Sequence, residues 1–154
     1  MAMVAADTVD PTKHRISILG TDISTETIVQ AQRAIYPAEM MEAVPEALRK
    51  RFLMKAKSAA RREMRIVPEL RHMVTFQHLN LMDANYPVDR NYDVIFCRNV
   101  LIYFSKTSQD AVLRRLCRHL RAGGFLILGH SESLAGASQD DMRQVAPTIF
   151  RRGG

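Results

Sequence analysis

"YDVIFCRNVLIYF", Tyr92 to Phe104, opens as a strand and then breaks its own pattern. Val94, Ile95 and Phe96 are apolar and β-prone, which reads as a buried strand. Cys97, Arg98 and Asn99 follow at once, and apolar residues resume at Val100, Leu101 and Ile102. An arginine and an asparagine at the end of a buried strand need a reason.

The flanking sequence supplies one. "RISILGTDIS" reads as a strand from Ile16 to Gly20 running into a turn, with Ser24 as a helix N-cap and Glu26 in the first turn. Ile28, Ala31 and Ile35 share one face of that helix, and Pro37 is expected to end it. "MVTFQHLNL" alternates like a second strand, and the Tyr92–Phe104 stretch supplies a third. Thr107-Ser108-Gln109-Asp110 has a capping-box pattern ahead of a stripe at Val112, Leu113, Leu116 and Leu120. Gly123 and Gly124 are expected to stop this helix. "FLILG" reads as a fourth, buried strand, and "PTIFRR" as a last edge strand.

Strand alternating with helix is the rhythm of a parallel α/β sheet. Such sheets bind ligands beyond the carboxyl ends of their strands. That rule collects Asp22, Asn80, Arg98, Asn99 and the His130-Ser131-Glu132 run on one rim. Asp22 suits the two hydroxyls of a ribose, though an aspartate there also serves as a turn residue or cap.

Composition narrows the class. The chain has 154 residues, 47% of them hydrophobic, enough for one domain with a core. No apolar run approaches about 18 residues, so no membrane insertion is expected. The opening "MAMVAADTVDPTKH" lacks the pattern of a signal peptide. Two cysteines, Cys97 and Cys117, fit neither a disulfide framework nor a zinc site, and a cytoplasmic location follows as the default. A net charge of +6 favours acidic partners without naming one. Between Ala47 and Arg65 stand eight Lys or Arg against one acid, Glu63. With little aromatic interleaving this is no nucleic-acid patch; it is a solvated face or a docking surface for an acidic protein. "LGHSES" approaches a nucleophile elbow, but Ser133 stands where glycine belongs and no histidine follows Ser131. A Cys97–His130 nucleophilic pair is conceivable across adjacent strand ends; packing is the plainer role for that cysteine.

"ILGTDIS", "FQHLNLMD", "YDVIFCRNVLIYF", "LRAGGFLILGHSESL" and "TIFRR" stand in the order and spacing of the chemotaxis receptor methyltransferases. Over about Ile16 to Phe150 the chain resembles this CheR family, most specifically in "FCRNVLIYF". The resemblance implies a partial class I, Rossmann-like methyltransferase domain over residues 1–154. Residues 52–74 would be a small inserted β-subdomain, which some members use to dock receptor tails; within the basic run, Arg61 and Arg62 are the candidate partner contacts. S-adenosyl-L-methionine would be the cofactor and S-adenosyl-L-homocysteine the product. The substrates would be glutamates on methyl-accepting chemotaxis receptors. By motif, Asp22 matches the ribose-binding acid, Asn80 and Leu81 flank the adenine, and Arg98 and Asn99 contact the cofactor. Tyr103 matches a tyrosine near the transferred methyl, with Arg98 organising charge beside it.

The family's N-terminal helical domain and first cofactor loop have no counterpart in these residues. A central strand would be missing with them, leaving open edges in the sheet. The expectation is a fragment, inactive alone. A split protein completed by a second chain, or a non-catalytic module docking on receptor tails or acidic helices, are the alternatives.

Overall fold

The computed structural model describes residues 1–56, 62–134 and 141–154. The chain divides into two units, Met1–Asn80 and Leu81–Gly154.

In the first unit, α1 (Ala2–Thr8) precedes β1 (Ile18–Asp22) and α2 (Thr25–Arg33). Ser24 caps α2 by accepting a hydrogen bond from the Thr27 N–H. The helix stops before Pro37 is reached: Ala34 takes a left-handed conformation at φ 53° and closes it, and Pro37 lies in β2 (Ile35–Pro37). Next come α3 (Glu46–Phe52), β3 (Leu53–Lys55), β4 (Glu63–Ile66), α4 (Pro68–His72) and β5 (Val74–His78). β1 and β5 pair in parallel, from Ile18 opposite Val74 to Asp22 opposite His78. β2, β4 and β3 form a separate antiparallel sheet in that order, so its first strand precedes residue 52. Phe52 and Leu70 are the fully buried side chains here, one ending α3 and one in α4.

The second unit contains β6 (Tyr92–Cys97), α5 (Lys106–His119), β7 (Leu120–Leu128), β8 (Met142–Ala146) and β9 (Ile149–Arg152). β6 and β7 are parallel, joined by α5, and the sheet order is β6-β7-β9-β8. The "PTIFRR" strand is therefore interior, between β7 and β8, rather than an edge. Leu101, Val112, Leu113, Leu120, Leu126 and Leu128 make the core.

Three local expectations are corrected in this unit. The α5 cap is Ser105, two residues ahead of Thr107, and it accepts from the Ser108 N–H at 3.3 Å. Helix α5 ends at His119, before the glycines: Gly123 and Gly124 lie inside β7, where a Cβ on Gly124 would crowd the Tyr92 and Asp93 carbonyl oxygens at 3.0 Å and 3.2 Å. β6 is not buried throughout, since Val94 and Phe96 are 42% and 45% exposed on one face. A single crossover helix covers only one face of a parallel pair, which leaves the other face open.

Among the described residues β1 pairs only with β5, and β6 only with β7. Each therefore keeps one edge of backbone donors and acceptors without a strand partner.

Candidate functional site

In the first unit the site residues collect where β1 and β5 end. Asp22 is the last residue of β1 and half-buried. Its Oδ1 accepts from the Ser24 N–H at 2.8 Å, closing the turn into α2. Its backbone carbonyl accepts from the Leu79 N–H at 2.9 Å, which ties the two strand ends together. Leu79 is buried, and the half-buried Asn80 follows it. The turn role and the ribose role of Asp22 are compatible: a carboxylate has about four lone-pair sites, and the turn occupies one.

In the second unit, Leu81 is held by its backbone, its carbonyl accepting from the Tyr86 hydroxyl at 2.7 Å. The buried Tyr86 ring stacks on His119 of α5 at 5.7 Å between centroids. His119 Nδ1 lies 2.8 Å from the Asp89 carbonyl oxygen, so an Nδ1–H tautomer donates to it. The segment leading into β6 is thus anchored on the end of α5.

Arg98 and Asn99 leave β6 as an exposed turn. Asn99 has φ 59°, the left-handed region, and Val100 returns to the right-handed one. This alternation points successive N–H groups to one side and makes a concave anion site. The occupant is the protein's own Glu132. Oε2 accepts from Asn99 N–H at 3.1 Å, and Oε1 from Val100 at 2.9 Å and Leu101 at 2.8 Å. Gly129, just past β7, donates to Oε2 at 2.6 Å. Burial favours the neutral acid, but the four backbone donors outweigh it and hold the Glu132 carboxyl below its ordinary pKa. Gly129 must lack a side chain, because a Cβ there would lie 2.6 Å from Glu132 Oε2 and 2.9 Å from Asn99 Oδ1.

The turn continues into a short 3-10 helix, Leu101–Tyr103. Leu101 is buried at 1% exposure and anchors it, while Tyr103 is 80% exposed. Gln109 of α5 donates through Nε2 to the carbonyls of Leu101 at 2.9 Å and Phe104 at 3.0 Å. The backbone from Asn99 to Phe104 is therefore fixed from two directions, and the side chains of Arg98 and Tyr103 are left open. Sequence reasoning placed Glu132 on the ligand-facing rim and gave the Gln109 side chain no role; Glu132 is instead buried, its carboxylate taken up by the backbone donors of the turn. The signal for Glu132 was an acid set between two buried leucines, Leu128 and Leu134.

The surroundings of the alternative nucleophile favour its neutral thiol. Cys97 is buried, and burial together with the Glu132 charge pushes its thiol pKa up to about 12. A thiol so protonated does not attack. Of the expected docking residues, Arg61 lies outside the described residues. Arg62 is exposed, and its carbonyl accepts from the Ala38 N–H at 2.9 Å. Two cations of the basic stretch are paired, Arg51 with Asp7 at 2.8 Å and Lys50 with Glu46 at 2.6 Å. No helix among the described residues is long and apolar enough to cross a membrane.

Comparison with known proteins converges on one family. Chemotaxis protein methyltransferase 2 of Pseudomonas aeruginosa is 37% identical over 135 residues, 88% of this chain and 48% of that protein. The probable chemotaxis protein methyltransferase of Rhizobium etli is 34% identical over 138 residues, 90% of this chain and 51% of that protein. The chemotaxis protein methyltransferase of Escherichia coli is 36% identical over 135 residues, covering 88% and 47%. The chain spans about half the length of these curated relatives. Likeness to solved structures is looser. An S-adenosylmethionine-dependent methyltransferase from Mesorhizobium loti matches 73% of this chain and 35% of its own at 14% identity, with a TM-score of 0.42. The family model described as CheR methyltransferase, SAM binding domain, matches residues 1–150, and the chain, an α/β domain with parallel strand pairs of the Rossmann-like kind, belongs to that family.

Proposed function

We propose that the chain is the cofactor-binding part of a protein-glutamate O-methyltransferase acting on methyl-accepting chemotaxis receptors in the cytoplasm. S-adenosylmethionine, when bound, supplies a methyl group on a sulfonium, and S-adenosylhomocysteine is the product. The donor and acceptor chemistry fits. Asp22, with one oxygen committed to its turn, keeps acceptor capacity for a ribose hydroxyl. Asn80 and Leu81 flank the adenine in this reading, and Arg98 and Asn99 contact the cofactor. Tyr103 orients the acceptor.

The substrate needs no general base. A glutamate carboxyl with a pKa of about 4.3 is already ionised at neutral pH. What remains is alignment of the attacking oxygen with methyl carbon and sulfur, and a misplacement of about 1 Å can cost about a hundredfold in rate. The observation that carries the proposal is the Asn99–Phe104 backbone, held by Glu132 and Gln109, with Arg98 and Tyr103 both exposed. A rigid backbone under open reactive side chains is what in-line transfer to a protein substrate requires.

The test is transfer of labelled methyl from S-adenosylmethionine to a chemoreceptor signalling fragment. It is run on the chain alone and on the full-length Pseudomonas aeruginosa relative. Label released by mild alkali identifies a carboxyl ester; alkali-stable label refutes glutamate as acceptor. Tyr103→Phe should lower turnover, and unchanged turnover removes its hydroxyl from the reaction. The β2-β4-β3 sheet and the adjoining basic segment, Arg61 and Arg62 included, form the receptor-docking part in this reading. Reversing both charges should weaken receptor binding and leave S-adenosylhomocysteine binding intact.

A further inference from the structure

Glu132 is 8% exposed, and its four hydrogen-bond partners are backbone N–H groups. Three come from consecutive residues after β6 and one from Gly129 after β7. A buried carboxylate in a protein interior is expensive unless every lone pair is used. Here an acceptor-only group with about four acceptor sites meets four donors. The match works in both directions. Without the anion, the N–H groups of Asn99, Val100 and Leu101 converge on nothing, and the left-handed Asn99 loses the interaction that sustains its conformation. β6 and β7 are already parallel neighbours, with Cys97 opposite Leu128 at their carboxyl ends. Glu132 extends that pairing one step beyond the ladder, with a side chain replacing backbone acceptors. Close approach at Gly129 is part of the same construction.

We propose that Glu132 is a positioning residue: its carboxylate locks the Asn99–Leu101 turn to the end of β7, and so sets where Arg98 and Tyr103 stand for methyl transfer. The lock follows from the geometry alone. Its consequence for transfer rests on the methyltransferase reading.

The Glu132→Gln variant discriminates this role from space filling. Glutamine has the same shape, but its amide nitrogen presents donors to donors. Filling a space is rescued by glutamine; accepting four N–H bonds is not. In the 15N-labelled chain, the amide resonances of Asn99, Val100, Leu101 and Gly129 should move together in Glu132→Gln and Glu132→Ala. Exchange at these amides should accelerate about ten- to a hundredfold, as loss of hydrogen bonds to a charged group implies. Measured on the full-length form, turnover should fall more than S-adenosylhomocysteine affinity, because moving Arg98 and Asn99 costs cofactor contacts while moving Tyr103 costs the alignment of transfer as well. Wild-type shifts at these amides in Glu132→Gln overturn the lock. Moved amides with unchanged turnover overturn the positioning role. Failure of the wild-type full-length form to bind S-adenosylhomocysteine defeats the methyltransferase reading and the positioning role with it, while the amides still decide the lock. If Glu132→Gln does not fold, wild-type exchange decides: unprotected amides at Asn99 to Leu101 refute the lock, and slow exchange outside any strand ladder supports it.

Discussion

Gly20→Ala tests how β1 is seated. Gly20 pairs with Phe76 across the β1–β5 ladder, and a Cβ at Gly20 would lie 2.7 Å and 2.8 Å from Cδ1 and Cε1 of the Phe76 ring. The backbone of Gly20 is not in the left-handed region, so alanine meets no conformational objection. On conformational grounds alone alanine in a strand should gain about 0.5–1 kcal/mol over glycine. The ring opposes it, since forcing a methyl into a filled space costs about 1–3 kcal/mol. Phe76 is half-buried and can yield in part. The expected net is a loss of about 1–2 kcal/mol, a large part of the marginal stability of a small domain. In a Phe76→Leu background the obstructing ring is gone, and Gly20→Ala should be neutral or stabilising by about 0.5–1 kcal/mol. The chain has no tryptophan, so urea unfolding followed by far-UV circular dichroism is the assay. Asp22 lies two residues beyond Gly20, so under the proposed ribose role of Asp22 S-adenosylhomocysteine affinity should fall with the first change and recover with the second. An equal loss in both backgrounds, or a Gly20→Ala chain more stable than wild type, refutes steric seating of β1 by Phe76.

Periodicity revealed the strand–helix rhythm because it reports which faces are apolar. It placed residues such as Asp22 and Arg98 at strand ends, since polar residues directly after apolar runs mark those ends. Element boundaries were less legible where the backbone, not the side chain, decides. Ala34 ends α2 in a left-handed conformation that no alanine advertises. Leu120 begins β7 before the glycines expected to stop the helix, because parallel pairing with Tyr92 recruits residues as far back as Leu120. The partial exposure of β6 was hidden because β-prone residues look alike on covered and uncovered faces. At the candidate site, Arg98 was legible as a polar group ending an apolar run, whereas Tyr103 was singled out only by the resemblance to the CheR family. Glu132 was legible only as a polar residue after a strand and Gln109 not at all, because both act on backbone N–H and carbonyl groups, whose positions residue identity does not report. The fixity of the reacting segment is a backbone property. It comes from residues about thirty positions apart in the case of Glu132 and the turn.

Gln109→Leu keeps the volume but leaves the Leu101 and Phe104 carbonyls without that donor, each worth about 1–3 kcal/mol if unsatisfied. It should lower the unfolding free energy and raise amide exchange at Tyr103; wild-type stability and exchange would refute the brace. Cys97 and Cys117, both buried, have thiols pushed up to about 12 and about 11, chiefly by burial. Neither should react with Ellman's reagent near pH 8 in the folded chain, and both should react in denaturant; fast labelling of the native chain would refute their inertness. The last prediction is the shape of stability against pH. Glu132 has its pKa lowered from 4.5 on folding, so the unfolded chain binds the proton more readily. Stability from this group is fully present above the unfolded value and is lost as pH falls through the folded one. The thiols act at the other end. Their folded pKa values lie above 9.0, so stability is full below about pH 9 and declines as pH rises toward 11–12. Urea midpoints measured across pH should therefore trace a plateau with two shoulders. Glu132→Gln should lower the plateau and flatten the acid shoulder, because no carboxylate remains there to titrate. Cys97→Ala should leave the acid shoulder and reduce the alkaline one. An acid shoulder of undiminished size in Glu132→Gln would mean that another carboxylate, and not the one held by the turn, governs the acid side of this fold.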